Sequence, residues 1–118
     1  LFPRVAAVVH HGGAGTSAAA ARAGVPSVVM PFFGDQPFWA WRLASVGAAP
    51  AAVSRKTLSV DAATKALQEA LAAPCQNLAV ALGQRLRDED GVGEAIRQLQ
   101  RWQLLPGAPA PSFASSAA

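Results

Sequence analysis

Residues 5–30 restrict the fold more than any other part of the chain. Residues 5–9 are a short valine-rich run, the kind that forms a strand buried on both faces. His10, His11, Gly12, Gly13, Ala14 and Gly15 follow, a sequence suited to a sharp turn. Residues 16–23 are alanine-rich and predict a helix, with Gly24 placed to end it in the left-handed region. Val25 and Pro26 lead into residues 27–30, a second buried strand stopped by Pro31. Strand, glycine turn, helix, strand is one βαβ unit, whose crossover is right-handed and whose strands lie parallel. The expected fold class is α/β.

Beyond Pro31 the pattern becomes helical. Asp35 is placed as an N-cap, with Pro37 in the first turn of a helix running to about residue 45. Residues 60–72 read as amphipathic, with Val60, Ala63, Ala66, Leu67, Ala70 and Leu71 near one face. Further helices are predicted over 76–87 and 93–104, separated by the acidic break Asp88, Glu89, Asp90. We expect one domain over residues 1–105 and a disordered Pro/Ala/Ser-rich tail over 106–118. Two parallel strands need cover on both faces and usually more strands, so the chain reads as part of a larger sheet.

Composition sharpens that expectation. Hydrophobic residues make up 52% and charged residues only 14%, against about 25% charged in an ordinary soluble domain. Arg22, Arg42 and scattered Gly and Pro interrupt every run before the roughly 18 apolar residues a spanning helix needs. A core whose covering domain lies elsewhere fits better than a bilayer segment. The opening at Leu1, just before the strand-like run, leads us to expect a truncation. Cys75 is alone, so no disulfide framework or thiolate metal site is expected. With no secretory signal in view, the cytoplasm is the default location. The net charge of +3 is spread along the chain without aromatic interleaving, which speaks against a nucleic-acid surface.

The chemistry concentrates in residues 8–42. A glycine turn between a buried strand and a helix N-terminus offers free N–H groups and a positive dipole end, a setting for phosphate. Gly12, Gly13 and Gly15 would admit an anion, Thr16 and also Ser17 could add a hydroxyl, and His11 could donate from the mouth. An ordinary tight turn with histidines capping strand carbonyls is the alternative. No Gly-Lys-Ser/Thr follows the turn, so it is not a Walker A loop. The spacing also departs from the dinucleotide fingerprint.

Three ordered blocks carry a more specific signal: Val-Val-His-His-Gly-Gly-Ala-Gly-Thr (8–16), Ala-Gly-Val-Pro (23–26) and Pro-Phe-Phe-Gly-Asp-Gln-Pro-Phe-Trp (31–39). Together they resemble the donor-binding signature of family 1 glycosyltransferases, most of all the sterol 3-beta-glucosyltransferase group. Leu-Phe-Pro-Arg-Val (1–5) and Glu-Asp-Gly-Val (89–92) extend the resemblance over about the first hundred residues. It implies the Rossmann-like C-terminal half of a GT-B fold, with the N-terminal half absent. By position, His11 would contact the donor's diphosphate, Gly13 and Thr16 would bond the same phosphates, and Asp35 and Gln36 would hold sugar hydroxyls. The ribose-binding glutamate of many plant members falls on Ala19. The family's base-stacking segment lies upstream of Leu1 and its catalytic base in an N-terminal acceptor domain, so no catalytic residue is expected in this chain. His10 reads as structural, Trp39 and Trp41 as packing (with one of them near the acceptor groove as the alternative), and Arg55, Lys56 and residues 88–90 as solvated faces.

The resemblance implies transfer of a hexose, glucose from UDP-glucose, to a hydrophobic acceptor such as a sterol or lipid alcohol. The alternatives are a macrolide- or glycopeptide-type transferase using a TDP-sugar, a non-catalytic donor-binding subunit of a split transferase, and a degenerate remnant. Expected partners are the nucleotide-sugar donor, an N-terminal acceptor domain in cis or in trans and, peripherally, membrane lipids; nucleic acid is not among them. No cofactor and no metal is expected, and the expected location is cytoplasmic, peripheral to a membrane.

Overall fold

The computed structural model describes residues 1–106, so the expected disordered tail falls, save for Pro106, outside the described residues. A single 3-10 turn at Phe2–Arg4 precedes β1 (Val8–His10), α1 (Ala14–Ala23), β2 (Ser27–Val29), α2 (Gln36–Ser45), α3 (Val60–Leu71), α4 (Ala73–Asp88) and α5 (Gly91–Arg101). The strands are parallel, with Val8 opposite Ser27, Val9 opposite Val28 and His10 opposite Val29. The chain is α/β, as the βαβ pattern requires.

Leu1–Asp88 forms one compact unit, and residues 89–106 belong to a second. Within the first unit, β2 is the centre. Its backbone pairs with β1 on one side, and on the other Ser27 N–H donates to Ala48 O (3.0 Å) while Val53 N–H donates to Val29 O (2.9 Å). Both of its faces are covered. Val29 packs with Ala21, Ala40, Leu43, Ala48, Ala49 and Ala79, beneath α1, α2 and α4. Val28 packs on the opposite side with Val53, Ala66 and Ala70 of α3.

β1 is shorter than residues 5–9 and is not buried on both faces. Pairing begins only at Val8, whose N–H donates to Pro26 O at 2.9 Å. Val5 is extended but lies before the first paired residue, because the partner chain turns away at Gly24 (φ +73°) and Pro26 has no N–H to offer. Val9 stays 55% exposed. α3 buries a narrower stripe than its periodicity suggests: Ala66 and Ala70 are inside, while Val60, Leu67 and Leu71 remain exposed. A three-residue strand plus Val53 gives that helix little to cover.

Small residues let α4 approach α1 closely. A Cβ placed on Gly83 would fall 2.5 Å from Gly24 Cα, 2.6 Å from Gly24 N and 3.0 Å from Ala21 O. These are backbone atoms and cannot swing aside. The junction is tied by Arg87, which donates to Arg22 O at 2.6 Å at the end of α1. The second unit is organised by its own charges. Asp90 caps α5 by accepting from Gly93 N–H (3.0 Å), and Glu94 pairs with Arg97 and Arg101, each at 3.0 Å.

Gly83→Ala should therefore destabilise the α/β unit by about 1–3 kcal/mol, the usual cost of overpacking. Urea unfolding checks this; an unchanged midpoint would mean that α4 does not approach Gly24 as closely as described.

Candidate functional site

The glycine turn is held by the two histidines before it. Gly12 N–H donates to His10 Nδ1 at 3.1 Å, and Gly13 N–H donates to His11 Nδ1 at 2.7 Å. A ring nitrogen that accepts carries no proton, so each ring that accepts at Nδ1 presents its N–H at Nε2. His10 uses that proton on Ser27 Oγ (2.9 Å), inside the fold. Burial, and secondarily the neighbouring His11, lowers the His10 pKa below its ordinary value of 6.5. His11 is exposed, and its Nε2–H has no acceptor among the described residues.

Gly12 and Gly13 N–H are thus engaged within the turn. Gly13 takes the N-cap position of α1 without a side chain, and the first helical bond is Ser17 N–H to Gly13 O at 2.8 Å. The N–H groups of Ala14, Gly15 and Thr16 have no partner among the described residues, which leaves the positive end of α1 open. Gly15 has nothing within 4 Å of where a Cβ would sit, so the fold does not need glycine there. Gly12 is different: it has φ +93°, and a Cβ would meet Val29 Cγ1 at 2.9 Å and Gln36 O at 3.0 Å. A Cβ on Gly13 would strike the His11 ring. Ser17 is buried, as are Ala20 and Ala21 of the same helix, and its Oγ has no partner among the described residues.

The second block meets the turn at the start of α2. Gln36 is buried, and its Oε1 accepts from Phe32 N–H (2.7 Å) and Phe33 N–H (3.1 Å). Two donors on one atom identify that atom as the oxygen, which leaves the amide Nε2 as a free donor. Asp35 stands at the N-cap position but does not cap with its side chain, contrary to the sequence reading. Its backbone is already helical (φ −84°, ψ −1°), which turns the carboxylate off the following N–H groups. Oδ2 accepts instead from Trp39 Nε1 at 2.9 Å, one helical turn on. Trp39 was expected to pack or to lie near the acceptor groove, not to hold Asp35. Arg55 is exposed, as expected, and its guanidinium lies over the Phe32 ring at 5.3 Å.

Matches to known proteins agree with this geometry. Residues 1–93 match the family described as erythromycin biosynthesis protein CIII-like, C-terminal domain. The chain belongs to that family. A sterol 3-beta-glucosyltransferase of Arabidopsis thaliana is 40% identical over 115 residues, covering 98% of this chain and 18% of the relative. The O-mycaminosyltylonolide 6-deoxyallosyltransferase of Streptomyces fradiae is 43% identical over 103 residues, covering 86% of this chain and 24% of the relative. The crystal structure of the kitacinnamycin glycotransferase superposes with a TM-score of 0.75 at 28% identity, covering 85% of this chain and 26% of that one. The fold is the Rossmann-like C-terminal half of GT-B, and the chain is a glycosyltransferase domain that spans under a quarter of these curated relatives.

His11, Gly13, Gly15, Thr16, Asp35 and Gln36 therefore lie along one edge, where the turn after β1 meets the loop after β2, while Gly12 shapes the turn from within. Sequence reasoning missed Trp39 as the partner of Asp35, although the i, i+4 spacing was a signal. The His10–Ser27 pair had no signal in the sequence. Among the described residues no group of His, Cys, Asp or Glu could hold a metal ion, and no helix is long and apolar enough to cross a membrane.

The sign of the His10 shift gives a pH prediction. Its folded pKa lies below the unfolded value near 6.5, so its contribution to stability is complete above that pH. It should be lost as pH falls from about 6.5 through the folded value. The urea midpoint of the wild type should drop over that window more than that of His10→Asn; parallel profiles would show that His10 does not drive the loss.

Proposed function

We propose that this chain supplies the donor site of a transferase that moves a hexose, glucose from UDP-glucose, onto a hydrophobic alcohol such as a sterol or lipid alcohol. The observation that carries this reading is the contact between the Gly12 turn and the start of α2. It sets an open helix N-terminus and an exposed imidazole donor beside a free carboxylate oxygen and a free amide nitrogen. A nucleotide sugar needs that pairing: an anion site for the diphosphate and a donor–acceptor pair for the adjoining hydroxyls.

In such a transfer the bond between sugar C1 and the diphosphate oxygen breaks as the acceptor oxygen bonds C1. The acceptor's proton passes to a base that this chain does not supply. Negative charge collects on the leaving diphosphate. His11 Nε2–H, the N–H groups of Ala14, Gly15 and Thr16, and the Thr16 hydroxyl would bond it in place, stabilising the charge that develops. Asp35 Oδ1 would accept from one sugar hydroxyl while Gln36 Nε2 donates to its neighbour. An acceptor domain in cis or in trans would complete the enzyme. The sterol-specific relative supports the glucose and sterol reading. The 43% identity to the Streptomyces fradiae transferase supports a second one, a deoxysugar donor and a macrolide acceptor. Competition of UDP against TDP separates them.

Calorimetric titration of UDP into the chain should show binding that His11→Ala weakens by about tenfold, the scale of one lost charge-assisted hydrogen bond. Gly15→Ala should lower UDP affinity while leaving stability unchanged or raising it by up to about 1 kcal/mol, because alanine favours the helix. Equal affinities for wild type and both variants would overturn the donor-site reading. The chain alone should give no product from UDP-glucose and a sterol.

A further inference from the structure

We propose that His10 is the positioning residue of the donor loop, holding it in its binding shape by one hydrogen bond to the turn and one to β2. The inference rests on the donor-site reading for its consequence, though the hydrogen bonds themselves do not. His10 ends β1, and its Nδ1 accepts from Gly12 N–H at 3.1 Å while its Nε2 donates to Ser27 Oγ at 2.9 Å. Ser27 is 1% exposed, at the start of the partner strand. One ring therefore ties the turn to the neighbouring strand. The far side of Gly12 is fixed against Val29 and the Gln36 backbone. Gly12 in turn sets where Gly13 and the open first turn of α1 begin.

The ring can do this only when neutral. A proton on Nδ1 would set two N–H groups facing each other, so the bond to Gly12 would be lost while the bond to Ser27 survived. His11 is the titratable group that bears on it. Ser27–Val29 of β2 and residues 14–17 at the head of α1 carry no ionisable side chain; the head of α2 carries Asp35, whose carboxylate accepts from Trp39 Nε1. Acidification should therefore loosen the loop, although a positive charge on His10 would by itself attract a diphosphate. The two effects have opposite signs, which makes the loop's role measurable.

Three variants of the full chain separate positioning from general stability. In His10→Asn, Oδ1 falls where Nδ1 sits and can accept from Gly12 N–H as an Asx turn, but the bond to Ser27 is lost. In His10→Gln the amide can reach Ser27 but does not close the turn, and His10→Phe does neither. We expect UDP affinity within about threefold of wild type for His10→Asn and about tenfold weaker for His10→Gln and His10→Phe. The hydrogen-exchange protection factor of the Gly12 amide should fall in the last two, and in the wild type on acidification, but not in His10→Asn. Affinity losses that follow melting temperature across all three variants would overturn the proposal, as would equal Gly12 protection throughout. If His10→Phe fails to fold, the Asn and Gln pair carries the comparison. If UDP does not bind the wild type, the donor-site reading fails, and Gly12 protection still decides whether His10 holds the turn.

Discussion

The close approach of Gly12 to Val29 and to the backbone of Gln36 is the constraint on which the site depends. A residue with a Cβ would have atoms 2.9–3.0 Å away on two sides, and a positive φ as well. With hydrogen in that place, the turn after β1 lies directly on the end of β2 and the head of α2. Two loops far apart in sequence then share one edge. Moving the turn outward by the width of a methyl group would separate the open end of α1 from the Asp35–Gln36 corner. The covering of β2 supports this arrangement from below. Because both neighbours bond its backbone and both faces are packed, the strand is a fixed surface for the turn to rest on.

Within this frame, adjacent polar residues divide into one that holds and one that faces out. His10 turns inward to Ser27, while His11 bonds Gly13 and stays exposed. Gln36 turns its oxygen onto the Phe32–Phe33 backbone, and Asp35 keeps one carboxylate oxygen on Trp39 and one free. Each outward group has its orientation set before any ligand arrives. Groups ordered in advance lose less freedom on binding and need less reorganisation when charge develops. His10 therefore contributes to the site through geometry alone, and the Gln36 oxygen does the same while its amide nitrogen stays available.

Much of this was legible in the sequence, and what was not has a common cause. The βαβ order, the end of α1 at Gly24 and the helix after Pro37 follow from local chemistry, and the structure has them. His11, Thr16, Asp35 and Gln36 stood out as candidates because their types and spacing form blocks. What the sequence left hidden depends on pairing across space. Strand β1 begins at Val8 rather than Val5 because Pro26 ends the ladder. Arg55 meets Phe32 across twenty-three positions, and His10 meets Ser27 across seventeen. The shared turn of Asp35 and Trp39 was accessible from spacing but was overshadowed by the familiar capping role of aspartate. Alanine also misled: Val60, Leu67 and Leu71 promised a wide apolar face on α3, whereas the small Ala66 and Ala70 make the contact.

The charges at the two helix heads give the site a direction. Both α1 and α2 begin at the same edge, so each presents the positive end of its dipole there. The first turn of α1 carries no acidic residue and Gly13 adds no side chain, so its field is uncompensated. Asp35 stands at the head of α2 and adds a negative charge there, although its side chain does not cap the helix. An anion approaching this edge is drawn to α1 and repelled from the corner of α2. A neutral polyol has no such penalty at α2, where it finds one strong acceptor and one amide donor. For a ligand with a charged half and a hydroxylated half, these fields favour the orientation that sets its anion against α1. That polarity follows from a glycine at one N-cap and an aspartate at the other.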